Sequence, residues 1–297
     1  SKEIDILAEE VTAFHANIAN KWIEKTKVDI IGFHGQTIFH NSDEKISKQI
    51  GLGKKLSNLT KKIVAFDFRQ NDLKNGGEGA PLAPIYHKLL VKEFEKKEKI
   101  KVPVTILNIG GIANITSINS NFEISSLDIG PGNCLIDRWI RLKSGKKYDK
   151  KGLIAKSGII DKLILNQSLD NFYNNKISKK KSYDTNDFDF SFARGLTLEN
   201  GAATLTEFTS DICSKKLING NIYVSGGGRK NIFLMESIEK KINCKIKLVD
   251  TIGIDGDFIE SQAFAYLSIR SFLNLPISFP ETTGVKKICT GGVVVKN

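Results

Sequence analysis

"VPVTILNIGGIANITSI", residues 102–118, followed by "FEISSLDIG", residues 122–130, is the part of the chain that decides the fold. Three short segments rich in β-branched residues are separated here by two tight turns, the first of which contains Gly110 and Gly111. Short strands joined by tight turns pair with their neighbours in sequence. We therefore expect residues 103–127 to form consecutive antiparallel strands.

Helical and strand patterns alternate around this region, which predicts an α/β protein. Strands are expected in "VDIIGF" (28–33), "KIVAFDF" (62–68), "GNIYVS" (220–225), "KIKLVD" (245–250) and "KKICTGGVVV" (286–295), with a helix-like stretch between the first two. Helices are expected at 85–95, 133–143, 159–169, 196–217 and 257–273. At the N-terminus, apolar residues three and four positions apart predict an amphipathic helix whose stripe packs into the core: Ile4, Leu7, Val11, Phe14, Ile18 and Trp22.

Composition and charge limit the classes of function that fit this chain. The 297 residues carry a net charge of +11, but only six of the 44 basic residues are arginine and the lysines are scattered. Because bidentate phosphate and base contacts favour arginine, a solvated lysine-rich surface fits better than a nucleic-acid binder. No apolar run reaches the ~20 residues of a membrane span. The four cysteines and four histidines lack metal-ligand spacing, so we expect no metal held by these side chains and a reducing, cytoplasmic location.

Three glycine turns each follow a strand: Gly110-Gly111, Gly130-Pro131-Gly132 and Gly226-Gly227-Gly228. Glycine permits close backbone approach, and its amides can cradle phosphates. Three such turns in one chain indicate a nucleotide or sugar site, although none forms a Walker A loop or a GxGxxG fingerprint. Asp128 stands at the lip of the second turn. From the residues alone it fits a capped strand-to-helix junction as well as a catalytic carboxylate.

The order of several motifs resembles that of the anhydro-N-acetylmuramic acid kinase family over nearly the whole chain. The motifs are "GFHGQT" (32–37), "DFRQNDLKNGGEGAPLAPIYH" (67–87), "LNIGGIANIT" (107–116), "DIGPGNCLIDRWI" (128–140), "YDKKG" (148–152), "VSGGGRKN" (224–231), "IESQAFAYL" (259–267) and "PETTG" (280–284). The resemblance implies two ribonuclease-H-like lobes of the actin-like ATPase and sugar kinase type, with ATP in the cleft. We expect residues 1–102 with 280–297 to form the first lobe and 103–279 the second.

The resemblance also implies an activity and catalytic residues. Enzymes of this family open the 1,6-anhydro ring of anhydro-N-acetylmuramic acid with water and phosphorylate the 6-oxygen, in the recycling of bacterial peptidoglycan. Asp128 matches the catalytic aspartate, the general base toward the attacking water. Glu260 matches a second site carboxylate, borne on a helix. ATP and Mg²⁺ are the implied cofactors, and a homodimer is the implied assembly.

Binding residues follow from the same matches. Those on the nucleotide side are Gly110, Gly111, Asn114, Gly226, Gly227, Gly228 and Asn231. Those on the sugar side are His34, Gln36, Thr37, Arg69, Asp72, His87, Gly130, Gly132 and Asn133. Arg69 is suited to pair bidentately with the lactyl carboxylate of the sugar. For His34 and His87, a purely structural role fits the sequence equally well.

Two departures from the family pattern bear on activity. Glu78 stands where the family usually has glutamine, which adds a negative charge near an anionic sugar unless a nearby lysine neutralises it. The family's opening strand and Gly/Ser/Thr phosphate loop have no counterpart, since the chain begins beyond them. We therefore expect a first lobe without its N-terminal strands, and little or no kinase activity from this 297-residue chain, with weak sugar binding retained. Another sugar kinase of the same superfamily, or a non-catalytic relative that binds a muramyl sugar or nucleotide, remains open.

Overall fold

Helices and short strands alternate along the chain, as the sequence predicts. The computed structural model describes residues 2–42, 44–174, 182–217 and 220–296. Its α-helices are α1 (Lys2–Ile23), α2 (Gly53–Thr60), α3 (Gln70–Lys74), α4 (Pro84–Glu95), α5 (Cys134–Ser144), α6 (Leu153–Ser157), α7 (Lys162–Asn174), α8 (Leu198–Lys216), α9 (Ile232–Ile242), α10 (Ile259–Phe272) and α11 (Pro280–Thr283). Its strands are β1 (Ile30–Phe33), β2 (Gln36–Asn41), β3 (Ile46–Ile50), β4 (Ile63–Phe66), β5 (Val104–Ile109), β6 (Ile112–Ile118), β7 (Ile124–Pro131), β8 (Asn221–Ser225), β9 (Ile246–Leu248) and β10 (Val293–Val295).

The chain divides into two compact units, one of residues 1–87 with 260–297 and one of residues 88–259. The lobe boundaries expected from the sequence, 102/103 and 279/280, stay a prediction. Among the described residues, no helix combines the length and the apolar character that crossing a bilayer requires.

The second unit contains a five-stranded sheet in the order β7-β6-β5-β8-β9. Strands β5, β6 and β7 pair antiparallel in sequence order, which confirms the predicted meander. Strands β8 and β9 continue the sheet parallel to β5. Counted along the chain the order is 3-2-1-4-5, the arrangement of a ribonuclease-H-like lobe, so the α/β fold class inferred from the sequence is confirmed.

The first unit contains a smaller sheet, in which β4 lies between β1 and β10. Strand β1 runs parallel to β4, and β10 runs antiparallel to it. A separate hairpin pairs β2 with β3. This hairpin was not predicted, because a bulge between Thr37 and Phe39 breaks the alternation of its side chains. Residues 36–41 and 46–50 form strands, and the helix-like stretch is confined to α2.

The N-terminal helix forms where expected, but four of the six residues of its predicted apolar stripe are exposed, and of the other two Val11 packs against the core. Its buried residues are the small ones, Ala8, Thr12 and Ala16. The Thr12 hydroxyl donates to the Ala8 carbonyl at 2.6 Å and accepts from the Leu52 amide at 2.9 Å, which ties α1 to the start of α2. The large apolar side chains of the stripe lie outside this contact, with Leu7, Phe14, Ile18 and Trp22 between 41% and 64% exposed. Close helix approach selects small residues and leaves the large ones at the surface.

Local capping sets the ends of other helices. Helix α7 begins at Lys162 rather than near Ile159, because the Asp161 side chain accepts from the Ile164 amide at 3.0 Å. Helix α8 begins after Thr197, whose hydroxyl accepts from the Asn200 amide. Helix α5 ends at Ser144, and the next residue, Gly145, caps it with a left-handed backbone. Short polar side chains and glycine at these positions are the reason that the predicted boundaries hold within a few residues.

Candidate active site

The three glycine turns of the second unit lie together at one end of the strands of its sheet. The Gly110-Gly111 turn is hydrogen-bonded to the turn after β7, since the Gly132 amide donates to the Gly111 carbonyl at 2.9 Å and the Asn133 amide to the Gly110 carbonyl at 2.8 Å. The third turn follows β8, the parallel neighbour of β5. The structure thus brings together the seven glycines that the sequence assigns to ligands: Gly110, Gly111, Gly130, Gly132, Gly226, Gly227 and Gly228.

Close packing between these turns explains two of the glycines. A Cβ on Gly132 would lie 2.4 Å from the Gly110 carbonyl oxygen. Gly226 has a φ of +79°, and its Cβ would lie 2.5 Å from the Asn108 Oδ1 atom. Any side chain at either position would force the turns apart. Gly111 and Gly227 are the exposed members of the group, so their backbone is accessible to a ligand.

Asp128 lies on β7, two residues before Gly130, and its side chain is buried with 7% exposure. Its Oδ2 atom accepts a hydrogen bond from the Tyr183 backbone amide at 2.9 Å. Burial, together with the charges of Asp128 and Asp187, raises the pKa of the Tyr183 phenol to about 12. The carboxylate is therefore oriented by the main chain of a segment more than 50 residues away in sequence.

A row of polar residues crosses four adjacent strands at this level. Asp128 pairs with Asn114, Asn114 with Asn108, and Asn108 with Ser225. Residues opposite one another on neighbouring strands share a face of the sheet. Asn114 was predicted as a site residue, whereas Asn108 and Ser225 were missed. The signal for Asn108 is its placement before the glycine pair.

Two predicted asparagines bind backbone groups of the site. The Asn133 amide nitrogen donates to the Gly110 carbonyl at 3.1 Å, and so reinforces the link between the first two turns. The Asn231 side-chain oxygen accepts from the Leu234 amide at 3.0 Å and caps α9. Both side chains hold the frame of the site, and direct contact with a ligand stays a prediction for each.

Arg229 is a residue of this frame that the sequence analysis missed. Its side chain is 4% exposed. Its guanidinium makes a bidentate pair with Asp250, at 2.8 and 3.1 Å, and also donates to Asp257 at 2.7 Å and to the Gly226 carbonyl at 2.9 Å. These bonds lower the pKa of the Asp250 and Asp257 carboxyls. Arg229 thereby fastens the third glycine turn to the loop that precedes α10.

In the first unit the structure brings His34 and Arg69 together. The Arg69 Nε atom donates to the His34 Nε2 atom at 2.9 Å, and the Arg69 Nη1 atom donates to the Gly79 carbonyl at 2.7 Å. The His34 Nδ1 atom lies 2.9 Å from the Gly35 carbonyl oxygen, which can only accept. His34 is therefore neutral, with its proton on Nδ1. It orients the arginine.

Asp72 is fully buried and organises the loop after α3. Its Oδ1 atom accepts from the Gly79 amide at 2.6 Å, and its Oδ2 atom accepts from the Thr283 hydroxyl. The Lys45 ammonium, from outside this loop, donates to the carbonyl of Gly77 at 3.0 Å. Gly77 directly precedes Glu78, so a cation binds the chain one residue before this glutamate. Of the two Asp72 bonds, the first closes the loop and the second ties it to α11, and contact of Asp72 with sugar stays a prediction.

The other predicted residues of the first unit lie on different elements. Gln36 and Thr37 lie on β2, and the Gln49 amide donates to the Thr37 hydroxyl at 3.2 Å. His87 is buried on α4. Glu260 is exposed in the first turn of α10.

Two histidines, the partly buried His34 and the buried His87, predict a loss of stability in acid. Burial, and for His34 also the Arg69 charge, lowers the pKa of His34 and of His87 from 6.5 to about 4. Between pH 6.5 and 4 the unfolded chain therefore binds protons that the folded protein does not, so the free energy of unfolding falls as the pH falls through this window.

Urea unfolding at pH 7.0, 5.5 and 4.5 measures this effect. We expect the double variant His34→Gln/His87→Gln to lose less stability than the parent between pH 7.0 and 4.5. The two proteins contain the same carboxylates, so only the contribution of the histidines is removed. Parallel curves for parent and variant would contradict the assignment.

The strand order of the second unit is that of the actin-like ATPases and sugar kinases. A sequence profile of the anhydro-N-acetylmuramic acid kinase family matches residues 2–297. The chain is 53% identical to the anhydro-N-acetylmuramic acid kinase of Pelagibacter ubique (strain HTCC1062), covering 100% of this chain and 82% of that protein. It is 38% identical to the kinase of the same name from Zymomonas mobilis, in a match that covers 95% of this chain and 78% of that protein. The chain belongs to the anhydro-N-acetylmuramic acid kinase family, as the motifs indicated.

Proposed function

We propose that this protein uses ATP to convert 1,6-anhydro-N-acetylmuramic acid to its 6-phosphate with hydrolytic opening of the ring. The observation that carries the proposal is the position of Asp128, a buried carboxylate held by the Tyr183 amide at the lip of the joined glycine turns. A carboxylate fixed in this way is suited to take a proton from water. The match to the family over residues 2–297 indicates which sugar is the substrate.

The proposed reaction has two steps, a displacement at the anomeric carbon and then the transfer of a phosphoryl group. A water oxygen bonds to the anomeric carbon while the bond from that carbon to the 6-oxygen breaks, and Asp128 accepts the proton of the water. The released 6-oxygen then bonds to the γ-phosphorus of ATP, and ADP leaves. Because the carboxylate is oriented before the reaction, no reorganisation is needed at that moment.

The residues present suit a nucleotide. The exposed backbone at Gly111 and Gly227 offers the surface that phosphate oxygens require, and close packing keeps side chains away from it. Mg²⁺ would neutralise charge on the phosphates when bound. It usually keeps several waters and takes one or two carboxylates together with the phosphates.

The first unit supplies several of the groups proposed for the sugar, in addition to Gly130, Gly132 and Asn133 of the second unit. His34 and Gly79 hold the Arg69 guanidinium in one orientation, which suits bidentate pairing with the lactyl carboxylate. Glu260 is proposed as a second carboxylate that positions the sugar or the water. By its family the protein would act as a homodimer, and its need for ATP favours the bacterial cytoplasm.

The test uses the protein expressed from its complete gene, with ATP, Mg²⁺ and the anhydro-sugar in water enriched in ¹⁸O. We expect ADP and a 6-phosphate product that carries one ¹⁸O at the anomeric position when the reaction is quenched early and analysed by mass spectrometry. Equal turnover of N-acetylmuramic acid, which has no anhydro bond, would favour an ordinary sugar kinase. Sugar binding without ADP formation would favour a non-catalytic relative.

A further inference from the structure

Arg138 lies on α5 in the same motif as Asp128, and the proposed reaction leaves it without a role. Its Nη1 atom donates to the Phe188 carbonyl at 3.1 Å, and its Nη2 atom donates to the Asn186 Oδ1 atom at 2.9 Å. A guanidinium is planar and its donors point in fixed directions, so two such bonds fix two acceptors at once. Arg138 therefore anchors residues 182–188, called here the 182–188 segment, to α5.

The 182–188 segment is rigid around this anchor because a capping box closes it. Its short 3₁₀ turn is Thr185–Asp187, and Asp184 is the residue before the turn. The Asp184 Oδ1 atom accepts from the Asn186 amide at 2.8 Å, and the Asp187 Oδ2 atom accepts from the Asp184 amide at 2.9 Å. These reciprocal bonds satisfy donors that a turn otherwise leaves open. The segment is therefore held as one piece.

The end of the segment opposite the anchor lies in the candidate site. The Tyr183 amide donates to the Asp128 Oδ2 atom at 2.9 Å. A Cβ on Gly111 would lie 3.2 Å from the Thr185 Cγ2 atom, so the segment also approaches the first glycine turn. The rings of Tyr183 and Phe188 pack with their centroids 5.1 Å apart, and both side chains are buried. The segment thus joins its anchor on α5 to the carboxylate.

The position of the Tyr183 amide matters for the chemistry of Asp128. A general base has to lie within hydrogen-bond reach of the proton that it takes, and a displacement of about 1 Å can cost about 100-fold in rate. The bond from the Tyr183 amide sets the rotation of the carboxylate only while the segment stays in place. Without the Arg138 fork, the segment would lose two of the contacts that hold it there.

We propose that Arg138 is a positioning residue of the reaction: it holds the 182–188 segment, and through the Tyr183 amide this segment orients the Asp128 carboxylate. The proposal rests on the proposed function for the role of Asp128. Arg138 needs no contact with either substrate, because the acceptors of its guanidinium are oxygens of the protein itself. Its loss is therefore expected to slow the chemical step and to leave substrate binding unchanged.

The first experiment compares kcat and KM of the parent and of Arg138→Met, each expressed from its complete gene, with ATP, Mg²⁺ and the anhydro-sugar. Methionine keeps an unbranched apolar side chain and loses the fork. We expect kcat to fall about 10- to 100-fold, with both KM values within about threefold of the parent. Titration calorimetry with ADP gives the fraction of folded sites, so a partly unfolded variant is not mistaken for a slow one.

Matched variants separate the anchor from a general effect on the fold. Arg138→Lys keeps the charge without the planar fork, so it should recover only part of the rate. Asn186→Ala removes one of the two acceptors, and the double variant Arg138→Met/Asn186→Ala should be no slower than Arg138→Met alone, because both changes break the same link. Arg194→Met, which removes an exposed arginine from the same unit, should match the parent.

Hydrogen–deuterium exchange tests the anchor without any reaction. In Arg138→Met the Tyr183 amide should exchange about tenfold faster or more, since the loss of hydrogen bonds lets the segment open more often. Amides of β5 and β6 should keep their parent rates. An unchanged rate at Tyr183 in the variant would overturn the proposal.

Three kinetic results would also overturn it: an Arg138→Met variant that keeps more than half of the parent kcat, a KM that rises as steeply as kcat falls, or effects of Arg138→Met and Asn186→Ala that simply add. Failure of the proposed function gives a different pattern. In that case the parent does not phosphorylate the anhydro-sugar, while exchange at Tyr183 still rises in Arg138→Met.

Discussion

Replacing Asp128 by asparagine is expected to leave the fold intact and to lower turnover of the anhydro-sugar about 10²–10⁴-fold. The amide oxygen of asparagine can still accept from the Tyr183 amide, so the side chain keeps its orientation. It cannot take the proton of the attacking water. The measurement is the rate of ADP formation at saturating substrates, in the protein expressed from its complete gene.

The control for this variant is Asp170→Asn, which removes one exposed carboxylate from α7 at the same cost in net charge. Its turnover should equal that of the parent. Nucleotide affinity should also be unchanged in Asp128→Asn, because the expected effect is confined to the chemical step. A variant that retains more than about a tenth of the parent rate would remove Asp128 from the role of general base.

Trp139→Ala is expected to lower the free energy of unfolding by about 3–5 kcal/mol. Trp139 is the largest fully buried side chain of the described residues. Its indole nitrogen donates to the Leu198 carbonyl at 2.8 Å, and its ring lies against Gly201, where a Cβ would come within 2.2 Å of it. Truncation leaves a cavity that these rigid neighbours cannot fill and removes one hydrogen bond to the Leu198 carbonyl.

The chain contains a matched control, because its second tryptophan, Trp22, is 64% exposed on α1. Trp22→Ala should change the free energy of unfolding by no more than about 0.5 kcal/mol. Urea unfolding followed by circular dichroism measures both variants without depending on tryptophan emission. Equal losses for the two variants would mean that burial at Trp139 does not control stability.

The contrast between these tryptophans shows where sequence patterns fail. Periodicity identified α1 correctly, but it assigned the large apolar residues, Trp22 among them, to the core. A hydrophobic stripe gives the side of a helix that is apolar, and it does not give the side that comes closest to a neighbour. The contact at Thr12 depends on small side chains, which carry little weight in a hydrophobic pattern.

The order of the first three strands of the second unit was predictable, because two tight turns leave these short strands only their sequence neighbours to pair with. The glycines of the site were also visible, since their chemistry is local. The groups that hold the site together were not. Tyr183 acts through its backbone amide, and Arg229 acts through carboxylates 21 and 28 residues away. Contacts over such separations leave no periodic trace in a single sequence.

The surface formed by the three glycine turns consists of main-chain atoms. Every amino acid has the same main-chain groups. Substitutions can therefore distort this surface but cannot tailor it. Under the proposed function, any evolved or engineered change of phosphate donor would have to proceed through side chains outside these turns. For the same reason, an inhibitor whose contacts are confined to the turn backbone would leave the organism few routes to resistance that preserve the enzyme.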